Sequence, residues 1–234
     1  DTLLRPENAE ALKTFLDGRE LIDLLLRYPG VVRSAADIAA LVPRLAPRLY
    51  SISSSPKMHP GEVHLTVAAV RYSSHGRARV GIASTFLADR AARRPVDIYI
   101  HRNIRFRLPR DAHTPVIMVG PGTGVAPFHD FLAERRATSA PGRTWLFFGD
   151  RRQANDFLYR DELERFRADG VLARLDTAFS RDQSAKVYVQ HRMMEHGAGI
   201  WHWLQDGAHF YVCGDASRMA KDVDRALKDI IARH

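Results

Sequence analysis

Cysteine is nearly absent: Cys213 is the only one in 234 residues. No internal disulfide can form, and a reducing cytoplasm is the expected compartment. No apolar run approaches the roughly 20 residues that a membrane-spanning helix needs. Asp1-Thr2-Leu3-Leu4-Arg5 shows neither Met nor a charged-then-apolar leader, so the chain reads as a piece of a longer one. The eleven histidines include no H-E-x-x-H or similar ligand spacing, and no metal is expected. Nothing repeats at a fixed period and nothing is low-complexity. With 15 Gly and 12 Pro, collagen-like and mostly disordered classes are excluded.

What is present suffices for a core: 45% of the chain is hydrophobic and 26% charged, which suits one or two domains. The net charge of +8 is concentrated rather than spread. Between Arg71 and Arg110 there are ten arginines, no lysine and two acids (Asp89 and Asp97), a surplus that equals the whole excess. Such a stretch can bind nucleic acid, hold a phosphate-bearing cofactor or dock an acidic protein, or it can be a solvated arginine face. No helix-turn-helix, zinc or RNP pattern accompanies it, so nucleic acid is not expected as a partner.

Periodicity divides the chain into three. Residues 1–44 carry apolar residues at helical spacing over 9–15, 20–26 and 36–41, broken at Pro29-Gly30. Residues 45–112 alternate in the manner of strands over 48–53, 63–72 and 96–100, with turns at Ser55-Pro56 and His75-Gly76 and a short helix over 84–93. This stretch predicts an antiparallel barrel or sandwich. Residues 113–234 alternate strand and helix, with strands at 116–119, 144–148, 172–179 and 209–213 and helices at 125–136, 158–167, 187–195 and 218–232. That alternation predicts a parallel sheet with crossovers.

Four motifs suggest chemistry. Gly120-Pro121-Gly122-Thr123-Gly124 follows an apolar strand and opens a helix, where backbone N–H groups can approach a phosphate. It lacks the Gly-Lys-Ser/Thr ending of an ATP-type loop, and a plain strand-to-helix turn is the alternative. Ser180 and Arg181, with Lys186, Tyr188 and Gln190, put a hydroxyl, two cations and a phenol at a strand's carboxyl end. That set suits a phosphate monoester beside an aromatic ring, such as the 2′-phosphate and adenine of NADPH, or else an exposed polar loop. Arg48-Leu49-Tyr50-Ser51, on a strand, points Arg48 and Tyr50 to one face. Gly81-Ile82-Ala83-Ser84 opens a short helix with small residues that suit a pyrophosphate.

Taken in order, R-L-Y-S, G-I-A-S, G-P-G-T-G-V-A-P-F, S-R-x4-K-V-Y-V-Q and Y-V-C-G-D resemble the ferredoxin–NADP reductase superfamily, in its diflavin reductase branch. Phe147-Phe148-Gly149, Asp156-Phe157-Leu158-Tyr159 and Met219-Ala220-Lys221-Asp222-Val223 fit the same branch, and the likeness spans about residues 40–234. The resemblance implies an α+β and α/β architecture: a partial helical connecting segment (1–44), an FAD-binding antiparallel β-barrel (45–112) and a Rossmann-like NADP-binding domain (113–234). It also implies that barrel strands precede this chain, leaving the barrel incomplete. An acid and a flavin-covering aromatic follow it, so the isolated piece is expected to be a poor catalyst.

The roles implied by the resemblance are these. Arg48 contacts the FAD pyrophosphate, Tyr50 stacks on the isoalloxazine, Ser51 sits near flavin N5, and Leu49 belongs to the same FAD-binding stretch. Thr66, Val67, Ala68 and Tyr72 form a second strand against FAD, and Gly81, Ile82, Ala83 and Ser84 hold its pyrophosphate. Gly120, Gly122 and Thr123 face NADPH, and Ser180, Arg181, Lys186, Val187, Tyr188, Val189 and Gln190 take its 2′-phosphate and adenine. Asp222 helps bind NADP, and Cys213 lies beside nicotinamide C4, although a packed sheet cysteine is the simpler reading of that residue. NADPH would pass hydride to FAD, and electrons would continue to an FMN, flavodoxin-like domain upstream. The terminal acceptor would be one such as a sulfite reductase hemoprotein. The alternatives are a cytochrome P450 reductase-like or nitrate-assimilation chain, or a module that binds NADP alone.

Overall fold

The computed structural model describes residues 2–32 and 34–234. They form two compact units: residues up to Arg48 with Ala68–Ile98, and Leu49–Val67 with Tyr99–His234. The polypeptide thus enters the second unit twice, and Arg48 and Leu49 fall on opposite sides of a unit boundary.

The first unit holds three short helices, α1 (Ala9–Leu16), α2 (Leu21–Arg27) and α3 (Ala35–Leu41). It also holds a hairpin of β1 (Arg71–Ser74) and β2 (Arg77–Val80), followed by α4 (Ile82–Asp89). The hairpin turns through His75 and Gly76, both at positive φ (49° and 72°), the backbone that a two-residue turn between twisted strands requires. Helix α2 starts with reciprocal capping between Glu20 and Asp23. The same two carboxylates take up the buried guanidinium of Arg79 from β2, with Glu20 at 2.9 Å, while Arg77 reaches Asp23 at 3.2 Å. Two of the ten clustered arginines therefore serve as a clasp inside this unit.

The second unit is built on four parallel strands: β3 (Val116–Val119), β4 (Thr144–Asp150), β5 (Arg174–Phe179) and β6 (His209–Val212). Their spatial order is β5-β4-β3-β6. The helices are α5 (Ala126–Ala137), α6 (Gln153–Asp156), α7 (Arg160–Ala168), α8 (Val189–Glu195), α9 (Gly197–Gln205) and α10 (Met219–Arg233). All of β3 and nearly all of β4 is buried, as expected for a parallel sheet covered on both faces. Pleating sends Val116, Met118, Leu146 and Phe148 into one core with Phe128, Phe131 and Leu132 of α5. It sends Ile117, Val119, Trp145 and Phe147 into the other, under α8, α9 and α10. Each large side chain so buried contributes about 1.5–3 kcal/mol.

The antiparallel part differs from the expectation. Of the strands read over 48–53, 63–72 and 96–100, the structure pairs Ile52 with Leu65 as a single bridge and forms the β1–β2 ladder. Residues 96–100 form no ladder, and Ile98 and Ile100 are 69% and 64% exposed. Alternation in sequence reports a pleat; a strand also needs a hydrogen-bonded neighbour, which periodicity cannot supply.

Candidate functional site

The order β5-β4-β3-β6 has a reversal between β3 and β6. The chain leaves β3 toward β4 on one side, and β6 returns on the other. At such a switch point the loops leaving the carboxyl ends diverge and open a crevice, where open α/β sheets bind ligands. The two segments that leave here are the glycine turn after β3 and Cys213-Gly214 after β6.

Their approach is close. The Cys213 amide donates to the Val119 carbonyl (3.0 Å), and the Gly120 amide to Phe147 (3.0 Å), so the ladder continues one residue past each strand. A Cβ on Gly124 would lie 2.8 Å from the Cys213 carbonyl carbon and closer still to its oxygen. A Cβ on Gly120 would lie 2.6 Å from the Phe128 ring. Gly122 has φ +56°, and only the Asp150 carboxylate, at 3.8 Å, faces its open side. The turn is therefore glycine-rich for packing at positions 120 and 124 and for backbone conformation at 122. It tightens through the Gly124 amide to Pro121 (3.0 Å) and then enters α5, presenting first-turn amides to the crevice.

Ser51 reaches this point from the other entry of the chain into the unit. Its hydroxyl lies close enough to the Cys213 thiol to act on the thiol's pKa. Burial pushes that thiol above its ordinary pKa, while the Ser51 contact pulls weakly the other way, so Cys213 is a neutral thiol at physiological pH. Tyr50, half-buried, precedes Ser51, and Leu49 is exposed. Ser53 accepts from His129 of α5 (2.8 Å), and the Ser55 hydroxyl donates to Glu134 of α5 (2.5 Å). Thr66 meets the Tyr159 hydroxyl, and the Tyr159 ring stacks on His129 at 4.1 Å. The 49–67 segment is thus fastened to α5 and to the entry of α7, and this fastening brings Ser51 to the switch point.

Along the same edge, the Ser180 and Arg181 amides donate to the carbonyls of Asp150 (2.9 Å) and Arg151 (2.8 Å). Arg181, Lys186 and Tyr188 are exposed, and neither Arg181 nor Lys186 makes an ion pair among the described residues. Val187 and Gln190 are half-buried, and Val189 is buried against the Ile117/Trp145 core. Asp222 sits in the first turn of α10, 3.8 Å from Arg225. The remaining predicted residues, Arg48, Ala68, Tyr72 and Gly81–Ser84, belong to the first unit. There Gly81 caps α4, and Ser84 is buried, accepting from the Val70 amide (3.1 Å) and donating to the Gly81 carbonyl (3.2 Å). Its hydroxyl is committed to the backbone, so any anion at this helix start meets amides and not Ser84 Oγ.

Sequence reasoning missed Asp150, whose carboxyl burial raises above the ordinary range at the crevice edge. Its place as the last residue of β4, opposite the glycine turn, was the available signal. It also missed the His129–Tyr159–Thr66 fastening and Asp130. Burial, with Glu134 adding to it, pushes the Asp130 carboxyl up to about 7. Nothing in the spacing of those residues announces them.

Comparison with known proteins bears on this geometry. Residues 2–86 match the FAD binding domain family, and residues 118–225 match the oxidoreductase NAD-binding domain family. The chain thus carries an FAD-binding segment followed by an NAD-binding segment, the pairing that the ferredoxin–NADP reductase resemblance implies. The chain is 49% identical over 99% of its length to the sulfite reductase [NADPH] flavoprotein alpha-component of Bacillus subtilis. It is 53% identical over 91% to that of Escherichia coli K12 and 50% identical over 96% to that of Vibrio cholerae. It spans 38%, 35% and 37% of those relatives, respectively. Among the described residues no helix is long and apolar enough to cross a membrane.

Proposed function

We propose that this chain is the NADPH- and FAD-binding reductase part of a sulfite reductase flavoprotein. The observation that carries it is the approach of Ser51 to Cys213 at the sheet's switch point, beside the glycine turn. A residue of the flavin-type motif and a residue of the dinucleotide-type motif meet at one place, as two reacting rings require. The residues present fit both groups. Gly122 leaves an open side to the turn, and the loop after β5 offers two cations without an ion-pair partner among the described residues.

When bound, FAD and NADPH supply the hydride chemistry. The chain supplies position. Arg181 and Lys186 hold the 2′-phosphate, with Ser180, Tyr188 and Gln190 around the adenine, and Asp222 assists from α10. Gly120, Gly122 and Thr123 admit the pyrophosphate and nicotinamide side. Tyr50 lies on the flavin ring, with Leu49, Thr66 and Val67 on the same two stretches of chain. Arg48, Ala68, Tyr72 and Gly81–Ser84 serve the rest of FAD. Ser51 and the neutral Cys213 flank the reacting atoms; both are small, and neither places a full charge where a hydride must pass. The domain bounds we assign are 45–112 for a barrel-type FAD domain and 113–234 for the NADP domain.

Downstream, electrons go to an acidic FMN domain and then to a hemoprotein. Support comes from a groove of about 970 Å3 in the second unit, lined by Arg102, Arg105, Arg107 and Arg110, none of which is ion-paired among the described residues. It runs along β6 from His209 to Val212, and its unpaired cations can meet an acidic surface. We place the module in the cytoplasm, where its one thiol stays reduced.

The test is nucleotide binding to the purified chain. NADPH should bind at least ~10-fold more tightly than NADH, because a charge-assisted contact to the extra phosphate is worth about 1.5–3 kcal/mol. Added FAD should bind and be bleached by NADPH under anaerobic conditions. Equal affinity for NADPH and NADH would overturn the reading.

A further inference from the structure

Between Ile52 and Leu65 the chain makes a tight excursion whose backbone is thoroughly tied. The Ser53 amide donates to the His64 carbonyl (2.9 Å), and the His64 amide to the Ser54 hydroxyl (3.0 Å). The Met58 and His59 amides both donate to the Ser55 carbonyl (3.1 and 2.9 Å). The Glu62 amide closes a turn onto the His59 carbonyl (3.2 Å), with Gly61 at φ +80°. His59 and Glu62 are thus the two ends of one turn, and Glu62 and His64 share a face of the extended stretch that follows. The turn brings together three side chains whose sequence spacing suggests nothing on its own.

Their donor atoms all lie within 4.8 Å of one another. The two imidazole rings have centroids 4.3 Å apart, and His64 Nε2 is 2.9 Å from Glu62 Oε2. The neighbouring ammonium of Lys57 does not compete, because it is paired with Glu134 at 2.6 Å. His59 is half-buried, while Glu62 and His64 are exposed, so water can complete a coordination shell. We infer that His59, Glu62 and His64 form a site for a divalent transition ion of the zinc, nickel or copper kind. Two imidazoles with one carboxylate select that class over magnesium or calcium, which prefer all-oxygen shells. The site is remote in chemistry from the cofactor crevice and does not depend on the functional reading above. The expectation of no metal followed from the lack of regular helical ligand spacing, whereas a turn builds this set.

The competing account is an ordinary surface pair of His64 and Glu62, which would bind no metal. Calorimetric titration of the metal-stripped full chain with Zn2+ at about pH 7.5 separates them. The expected result is one ion per chain, unaffected by excess Mg2+. His64→Ala and His59→Ala should each weaken binding at least ~10-fold, since even groups behind a ligand cost that much. His113→Ala, at an exposed histidine outside the cluster, should leave it unchanged. Glu62→Gln keeps size and removes the anionic ligand, so it decides the matter if a histidine variant is poorly folded. Absence of stoichiometric binding, or binding unaltered by all three substitutions, would overturn the inference.

Discussion

Replacing Gly124 by Ala tests whether the glycine turn is held against the exit of β6. The new Cβ would stand 2.8 Å from the Cys213 carbonyl carbon, nearer its oxygen, and 3.1 Å from Gly214 Cα. All three neighbours are backbone, and the Cys213 amide is fixed to Val119 at 3.0 Å, so no side chain can rotate away. Overpacking of this kind costs about 1–3 kcal/mol, and rigid backbone neighbours argue for the upper half. For a chain of this size that is a fall in Tm of roughly 4–12 °C by calorimetry. Pushing β6's exit away from β3 should also weaken NADPH binding at least ~10-fold, because misplacing amides by about 1 Å forfeits charge-assisted contacts. Gly122→Ala is the control. It meets only Asp150 at 3.8 Å, so its cost is confined to the left-handed backbone, about 1–2 kcal/mol. A Gly124→Ala chain with unchanged Tm and unchanged NADPH affinity would refute the close approach of the two exits.

Other expectations follow from the same geometry. Arg181→Ala should weaken NADPH far more than NADH, and equal losses measured by titration would remove the 2′-phosphate assignment. Asp130 has its folded pKa raised to about 7, so its stabilising contribution is complete below the unfolded value near 3.8 and is lost as pH rises toward 7. Asp130→Asn should therefore raise Tm at about pH 8 by a few degrees and leave it nearly unchanged at about pH 4; the opposite pH order would contradict the burial. Arg79→Ala leaves the Glu20 and Asp23 carboxylates without their buried cation, and hydrogen exchange should show β1, β2 and α2 losing protection while β3 and β4 keep theirs. If the FMN partner docks on the Arg102–Arg110 groove, electron transfer to it should slow steeply between low and physiological salt; a flat profile would reject that surface.

The parallel sheet was legible because its signal is local. Val116–Val119 and Trp145–Phe148 are unbroken apolar runs, as strands buried on both faces must be, and each is followed by turn residues and then a helix. Helix α9 was legible only as a short helical segment about Trp201 and Trp203. Gly197 and Gly199 argue against a helix by propensity, yet a Cβ at Gly199 would lie 3.1 Å from the Trp145 ring, so packing selects glycine there. The antiparallel part was half legible. His75-Gly76 marks its hairpin, but pairing partners for 96–100 are a long-range matter that alternation does not encode. Likewise, Ser51 and Cys213 are ordinary residues far apart in sequence. Motif order suggested that they meet, and the contact itself depends on Ser53, Ser55 and Thr66 gripping α5 and Tyr159.

The contact between Ser51 and Cys213 can be measured chemically, because the chain has no other cysteine. In Ser51→Cys, mild oxidation with diamide should close a single intramolecular disulfide, seen as loss of both free thiols and as an unchanged monomer mass on non-reducing gels. Closing it should block NADPH-driven bleaching of added FAD, and reductant should restore it. Two thiols that remain free, or pair only between chains, would contradict the convergence on which this account stands.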